Sequence, residues 1–542
     1  MKKSVLLPLA FLCLLLPKHS TAVPAYPEPV DFKQPDGSHV NIKMFGDEHF
    51  NRVESLDGYT LSVNNKGFYE YAIKNQQGAL VPSGIVAKNA VSRTAVDNSL
   101  LERTPKNLRL NPDQVNMLKQ VEAIYATEQQ RQAFPTTGNR KLLCILIGFT
   151  DRSFTKSKAD FENLFNQIKY TTDGATGSVK DYYLENSWGK LNLDVTAAGP
   201  YIASNSMAYY GADSGASKFP RARDLINEAV NAADTDVNYA DFDNDNDGVV
   251  DGVYVIFAGY GQEAGASTDT IWSHAWAIDP VELDGKIVYS YSCSPELRGN
   301  SGAGITRIGV ICHEFGHVMG APDFYDTDYE TGGEYEGTGR WDLMAGGTWN
   351  NSGATPAHHN GFTKSYYYKW TSMIELVPDR EVSMPKIETN EAVYSYASPT
   401  AGEYWVLENR QLSGFDSSLP GHGLLVYHVD ENNIIKNEYD INSTHPQYMY
   451  PVCAGAAMNP SSDPASYGTI NSGICSFPGT IGKTAFTYST FPAAISWAGQ
   501  RSNKAITGIT EIDGSVTFDF NLSEPPLPKS NPAAAAIIKL LL

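Results

Sequence analysis

The chain has 542 residues, with 41 Lys and Arg against 61 Asp and Glu for a net charge of −20, and is 42% hydrophobic and 11% aromatic. At about 150 residues per domain the length allows three or four folding units, and the apolar content excludes a disordered chain. The acidic balance excludes a general attraction to nucleic acid or anionic lipid, and suits a protein that gathers hard cations through clustered carboxylates.

Residues 1–22 read as an export signal. Lys2 and Lys3 give a positive start, Val5 to Leu16 is apolar apart from Pro8, and Ser20-Thr21-Ala22 offers a small-x-small cleavage site. Val23-Pro24-Ala25 is a second candidate. The apolar run is too short to span a bilayer, and no later stretch reaches about 18 apolar residues. The chain is therefore expected to be secreted, outside the cell or into a periplasm, without a membrane span. Cys13 lies in the signal, which leaves Cys144, Cys293, Cys312, Cys453 and Cys475, an odd set with at least one unpaired thiol. Cys453 and Cys475 close a short Gly, Pro, Ser and Asn-rich segment and are the favoured bridge.

Residues 23–139 form the next unit. Short β-type runs are punctuated by Pro35-Asp36-Gly37, Leu56-Asp57-Gly58, Asn64-Asn65-Lys66-Gly67 and Gln77-Gly78. From Asn111 to Gln132 apolar residues recur at three and four, which predicts a helix. A polar stretch with Arg131 and Arg140 follows, the layout of a removable prosegment before a hinge.

Residues 140–375 mix the two patterns. Strands are predicted at Leu142 to Phe149, Val253 to Phe257 and Lys286 to Tyr291, and helices at Lys158 to Lys169 and Arg223 to Ala233. This is an α+β text. From 376 to 522 helices become scarce. Tyr404 to Glu408, Gly423 to Val429 and Ser515 to Phe520 read as widely spaced strands of a β-sandwich-like domain. The tail 523–542 is Pro-rich, then Ala-rich, and remains unassigned.

Chemistry concentrates in Gly309-Val310-Ile311-Cys312-His313-Glu314-Phe315-Gly316-His317-Val318-Met319-Gly320-Ala321-Pro322-Asp323. On a helix His313 and His317 share a face one turn apart, the reach two imidazoles need for one Zn²⁺. Glu314 falls beside them, where a carboxylate takes a proton from a metal-activated water as general base. Gly320 is placed to end the helix with positive φ, Pro322 discourages its continuation, and Asp323 returns as a third ligand. Two His and one carboxylate leave an open position, as a catalytic zinc requires. The extended His-Glu-x-x-His-x-x-Gly-x-x-Asp string is the metzincin arrangement with Asp in place of the last His. Met344, in Trp341-Asp342-Leu343-Met344-Ala345-Gly346-Gly347, comes 21 residues after Asp323 and fits a Met-turn, an apolar floor beneath the ligands.

A second cation pattern lies at Asp241 to Asp251. Asp243, Asp245 and Asp247 alternate, Gly248 supplies a sharp turn, and Asp251 takes the ninth place of a Ca²⁺ loop. Tyr254 stands at the twelfth place instead of a bidentate Glu, so a structural calcium is expected and not an EF-hand switch. His274 is either a cleft-lining or a packed residue, while His358, His359 and His428 read as packed. Tyr366, Tyr367 and Tyr368 stand near the motif as candidates for an oxyanion donor, with nothing in the sequence to choose among them.

These strings together resemble the immune inhibitor A-like secreted metallopeptidases of bacteria. The resemblance rests on His313-Glu314-Phe315-Gly316-His317 with Gly320, Pro322-Asp323 and Tyr325-Asp326, on the Trp341 to Gly347 turn, and on Glu408-Asn409-Arg410 and Gly423 to Asp430. Gly46-Asp47-Glu48 and Asp57-Gly58-Tyr59 also look familial. The resemblance implies a zinc endopeptidase made as a zymogen, with one catalytic zinc, calcium sites, protein or peptide substrates, an activating protease and a β-rich region behind the catalytic domain. Met44-Phe45-Gly46-Asp47 also resembles the phrase with which some metzincin prosegments place an Asp on the metal, so Asp47 is either a latency ligand or part of a turn. Two other readings remain open. One is an extracellular adhesin or carbohydrate-binding protein with a structural metal, which leaves Glu314 unexplained. The other is a zinc hydrolase acting on a different amide.

Overall fold

A computed structural model of the chain describes residues 21–125, 133–213, 220–438 and 440–522. The export signal up to Ser20, Arg131 of the expected hinge, and the tail from residue 523 lie outside the described residues.

The first unit is a six-stranded antiparallel meander in sequential order. Its strands are β1 (Val30–Lys33), β2 (His39–Gly46), β3 (Asn51–Ser55), β4 (Thr60–Val63), β5 (Tyr69–Lys74) and β6 (Leu80–Val86). Each predicted Gly-containing turn falls at a strand junction, because Gly37, Gly58, Gly67 and Gly78 take the positive φ that such turns need. The predicted helix is present at Pro112–Tyr125, and residues 126–132 of that prediction lie outside the described residues.

The central sheet has the order β10-β11-β9-β7-β8. Its strands are β7 (Gly138–Gly148), β8 (Leu191–Ile202), β9 (Val253–Tyr260), β10 (His274–Leu283) and β11 (Lys286–Leu297). Strands β8, β7, β9 and β11 run parallel, and edge strand β10 runs against them. Near-continuous apolar runs form the inner strands because both faces of the sheet are covered. Alternation sorts them by face. Leu143, Ile145, Ile147, Val253, Val255 and Phe257 enter a core shared with the meander. Leu142, Cys144, Leu146, Tyr254 and Ile256 enter one shared with helix Ile308–Val318 and the C-terminal strands.

Beyond residue 373 two further sheets form. The five-stranded one runs β12-β14-β15-β16-β17, from β12 (Ile374–Glu375), β14 (Tyr394–Ala397), β15 (Glu403–Arg410), β16 (Gly423–Asp430) and β17 (Met449–Pro451). The three-stranded one is β13-β19-β18, from β13 (Arg380–Met384), β18 (Ala505–Ile512) and β19 (Ser515–Asn521). The α+β reading thus stands at the level of mixed helices and strands. These C-terminal sheets do not stand apart from the region before them. The Arg410 guanidinium is fully buried, pairs with Glu408 and Asp416, and donates to the Trp341 carbonyl at 2.8 Å. A buried charge needs such complete pairing, so removing any partner would cost several kcal/mol, about 3–5. Cys453 and Cys475 are neighbours whose thiols hydrogen-bond, and both are reduced, so the expected bridge is not formed. Among the described residues no helix is long and apolar enough to cross a membrane.

Candidate active site

The motif forms a helix at Ile308–Val318, buried along its whole length. Ile308, Ile311, Phe315 and Val318 seat it in the core. Gly316 lets the next layer come close: a Cβ there would lie 2.7 Å from the Met344 sulfur. Gly320 ends the helix with φ +102°, and its N–H and that of Ala321 cap the carbonyls of His317 and Gly316 at 2.9 and 3.1 Å. The chain then doubles back and brings Asp323 under the two imidazoles.

His313 Nε2 and His317 Nε2 are 3.1 Å apart, and Asp323 Oδ1 lies 3.2 and 3.4 Å from them. All three side chains are buried. His317 Nδ1 faces the Ala321 carbonyl at 2.8 Å, and His313 Nδ1 faces the Leu343 carbonyl at 2.9 Å. A carbonyl only accepts, so both Nδ1 atoms carry the proton and both Nε2 atoms turn lone pairs toward each other and toward a carboxylate. Among the described residues no donor serves these converging acceptors, which is costly in a buried place unless a cation sits among them. Zinc bonds of about 2.0–2.1 Å in a tetrahedron put donors about 3.3–3.4 Å apart, so the residues fit that ion.

Glu314 lies beside this group, fully buried. Its Oε1 accepts the Val23 N–H at 2.7 Å, while Oε2 has no hydrogen-bond partner among the described residues. Burial pushes its pKa well above the usual carboxylate range, and the nearby Glu48, Asp323 and Glu263 carboxylates add to this against the Val23 N–H. Met344 is buried, with its sulfur packed against Gly316, and the backbone of its loop holds the motif. The Leu343 carbonyl orients His313, and the Met344 carbonyl accepts the N–H of Phe324, next to Asp323, at 2.8 Å.

The other candidates fall elsewhere. Asp47 is buried in the turn after β2, where Oδ1 accepts the N–H groups of His49 and Phe50 and Oδ2 lies 3.3 Å from the Tyr325 hydroxyl. The three-residue donor group does not include it. His274 begins edge strand β10 but turns its ring inward, onto the Trp272 carbonyl and the Tyr291 hydroxyl, both at 2.8 Å. His358 is held by Glu185 and Lys364, His359 is buried among Tyr183, Tyr368 and Trp370, and His428 pairs with Glu403. Tyr368 lies behind the helix with its hydroxyl on the Gly316 carbonyl, and Tyr366 and Tyr367 pack on Phe362.

Asp243, Asp245 and Asp247 do converge. Asp243 already accepts from Gly248 N at 3.0 Å and pairs with Lys286 at 2.6 Å, and Asp247 N donates to Asp243 at 3.1 Å. Asp251 is turned to Asn244, accepting from its backbone and side-chain amides at 2.7 and 2.8 Å. Burial raises the Asp251 carboxyl to about 6.

Sequence comparison agrees with this geometry. Residues 137–372 match the family profile described as immune inhibitor A peptidase M6, catalytic domain. This stretch of the chain is similar to a peptidase M6 catalytic domain. Immune inhibitor A of Bacillus thuringiensis subsp. alesti is 33% identical over 238 residues, 36% of this chain and 33% of that protein. Pre-pro-metalloprotease PrtV of Vibrio cholerae serotype O1 (strain M66-2) is 28% identical over 306 residues, 46% of this chain and 32% of that protein. The chain thus spans about a third of the length of these curated relatives. His313, His317, Asp323, Glu314 and Met344 all lie within the matched residues.

Sequence reading missed the residues that approach the site from far away in the chain. Residues 21–26 lie along the cleft, with Trp272 Nε1 donating to the Val23 carbonyl at 2.9 Å and Trp349 Nε1 to the Pro24 carbonyl at 2.8 Å. Only a contact some 290 residues long in sequence joins Val23 to Glu314, and no local pattern signals it.

Proposed function

We propose that the protein is a secreted zinc endopeptidase made as a zymogen, with a metzincin-type catalytic region and a β-sandwich-like domain behind it. The observation that carries this reading is the convergence of three buried, donor-free acceptor atoms beside a buried Glu. His313, His317 and Asp323 would hold the zinc, which when bound supplies an acidified water and polarises the carbonyl to be cut. Glu314 accepts the proton of that water at its carboxylate and returns it to the nitrogen that leaves. Met344 and the Leu343 carbonyl keep the ligands in place, and the buried helix keeps bulk water out. A structural calcium at Asp243, Asp245, Asp247 and Asp251 belongs to the same reading.

The six-stranded unit serves as the prosegment. Arg52 and Arg109 pair with Glu334, Leu110 N donates to Glu330 at 2.9 Å, and Lys119 pairs with Asp328 at 2.8 Å, so it is clamped to the loop that follows Asp323. With Val23 and Pro24 of the prosegment held against Glu314, Trp272 and Trp349, substrate has no path to Glu314. Asp47 contributes through its contact with Tyr325. Asp47→Ala is expected to raise the residual activity of the untrimmed chain, and unchanged latency would remove Asp47 from the mechanism.

Digestion of an unfolded protein by the trimmed chain, with cleavage sites mapped by mass spectrometry, tests the function. Internal cuts in a backbone support an endopeptidase. Hydrolysis confined to other amides, or none, would favour a different zinc hydrolase or a binding protein.

A further inference from the structure

The segment in the cleft also gives the register of a substrate, and this rests on the peptidase reading above. Thr21 exchanges both backbone hydrogen bonds with Ala275 on the open side of β10, at 3.1 and 2.7 Å, and so extends the edge strand in the antiparallel sense. This is the way an extended peptide adds to a sheet. One residue further on, the Ala22–Val23 peptide group lies across the catalytic residues. Its N–H points at Glu314 Oε1 at 2.7 Å, and its carbonyl oxygen accepts the Tyr325 hydroxyl at 2.7 Å. The next two carbonyls are taken by the indoles of Trp272 and Trp349.

That arrangement sets the two ends of one peptide bond against two different side chains. The nitrogen faces the carboxylate that would return a proton to a leaving amine. The oxygen, where negative charge would develop on attack, faces a hydroxyl. A pre-positioned donor at that oxygen lowers the barrier because it strengthens as the charge grows and pays no reorganisation at that moment. Tyr325 is rigidly held for this. It is buried, two residues past Asp323, in a turn fixed by Phe324 N on the Met344 carbonyl at 2.8 Å and Thr338 N on the Phe324 carbonyl at 2.9 Å.

We propose that Tyr325 is a catalytic residue, whose hydroxyl donates a hydrogen bond to the carbonyl oxygen of the bond being cut, and that the Ala22–Val23 peptide marks the position of that bond. Water adds its oxygen to the carbonyl carbon and gives its proton to Glu314. The carbon–nitrogen bond breaks, the proton passes from Glu314 to the nitrogen at the place of Val23, and the second water proton leaves with the new carboxyl. Tyr325 keeps its own proton throughout. In the untrimmed chain Asp47 of the prosegment also lies 3.3 Å from this hydroxyl.

The test is Tyr325→Phe, made in the full chain, folded and zinc-loaded and then trimmed of its prosegment by an added protease. Zinc content and the melting temperature before trimming show whether the variant is intact. The expected result is unchanged zinc, KM within about twofold of wild type, and kcat lower by about 10²–10³. A phosphinic peptide with Ala and Val flanking the phosphorus, which presents a tetrahedral anion, should lose affinity by a similar factor. A product peptide should not. Wild-type kcat with zinc in place overturns the proposal, as does a loss that appears only in KM or in zinc content. If trimmed wild type cuts no peptide at all, the peptidase reading itself has failed, a result distinct from an active wild type with an equally active variant.

Discussion

Two clusters of potential metal ligands in this chain differ in what they require. His313, His317 and Asp323 come from a helix and a returning loop, are buried, and have used their donors on carbonyls outside the cluster. What remains inside is three facing acceptors, an arrangement that burial penalises until a cation arrives. Asp243, Asp245 and Asp247 come from one loop, with Asp245 and Asp247 exposed, and backbone N–H groups and Lys286 already meet part of their charge. Exposed carboxylates near one another repel weakly in water. The buried cluster is built for a metal, while the loop is able to accept one.

The sharpest contrast comes from metal removal. Stripping zinc with a chelator from the trimmed chain should abolish proteolysis and lower the melting temperature, and added zinc should restore both. Full activity in verified metal-free protein would break the comparison at its stronger side.

A smaller effect separates buried from exposed carboxylates. Glu263, at the cleft, is raised to about 7 from an ordinary 4.5, chiefly by burial and against the hydrogen bonds from Ser273. The folded state therefore holds this proton more tightly than the unfolded one, so the stability it provides is complete below about pH 4.5 and is lost as pH rises through about 7. Glu263→Gln should remove that dependence, gaining about 2–4 kcal/mol relative to wild type between pH 4.5 and 8 in denaturant titrations of the untrimmed chain. Parallel pH profiles for the two would contradict the assignment.

The smallest effect belongs to the loop. Asp245→Asn should change stability by less than about 0.5 kcal/mol in the presence of a calcium chelator. Millimolar calcium should then raise the melting temperature of wild type by a few degrees and that of the variant by less. Equal responses would leave the loop as a plain acidic turn.

The same contrast explains how far the sequence could be read. The buried cluster was legible because its parts sit in one string: the four-residue step from His313 to His317, the Gly320 stop and the Asp323 return are all set by helix geometry. Four of the meander's turns were legible because a glycine flanked by polar residues favours the positive φ a tight turn needs. Contacts between distant segments were not. Tyr325 stood in the recognised string without a role until Ala22 was placed against it, 303 residues away. Glu408-Asn409-Arg410 looked familial, yet only the fold shows Arg410 tying β15 to the Trp341 carbonyl beneath the Met-turn. The C-terminal strands looked like a separate domain because alternation reports burial without naming the partner, and their partner includes the active-site helix.

The most direct test of the account compares wild type with Glu314→Ala, both folded as full chains, trimmed and assayed on an unfolded protein with bound zinc quantified. The account predicts equal zinc in both, and kcat lower by about 10²–10⁴ in the variant, since Glu314 moves a proton but holds no metal. Equal zinc with equal cleavage would remove Glu314 from the chemistry and contradict the mechanism at its centre.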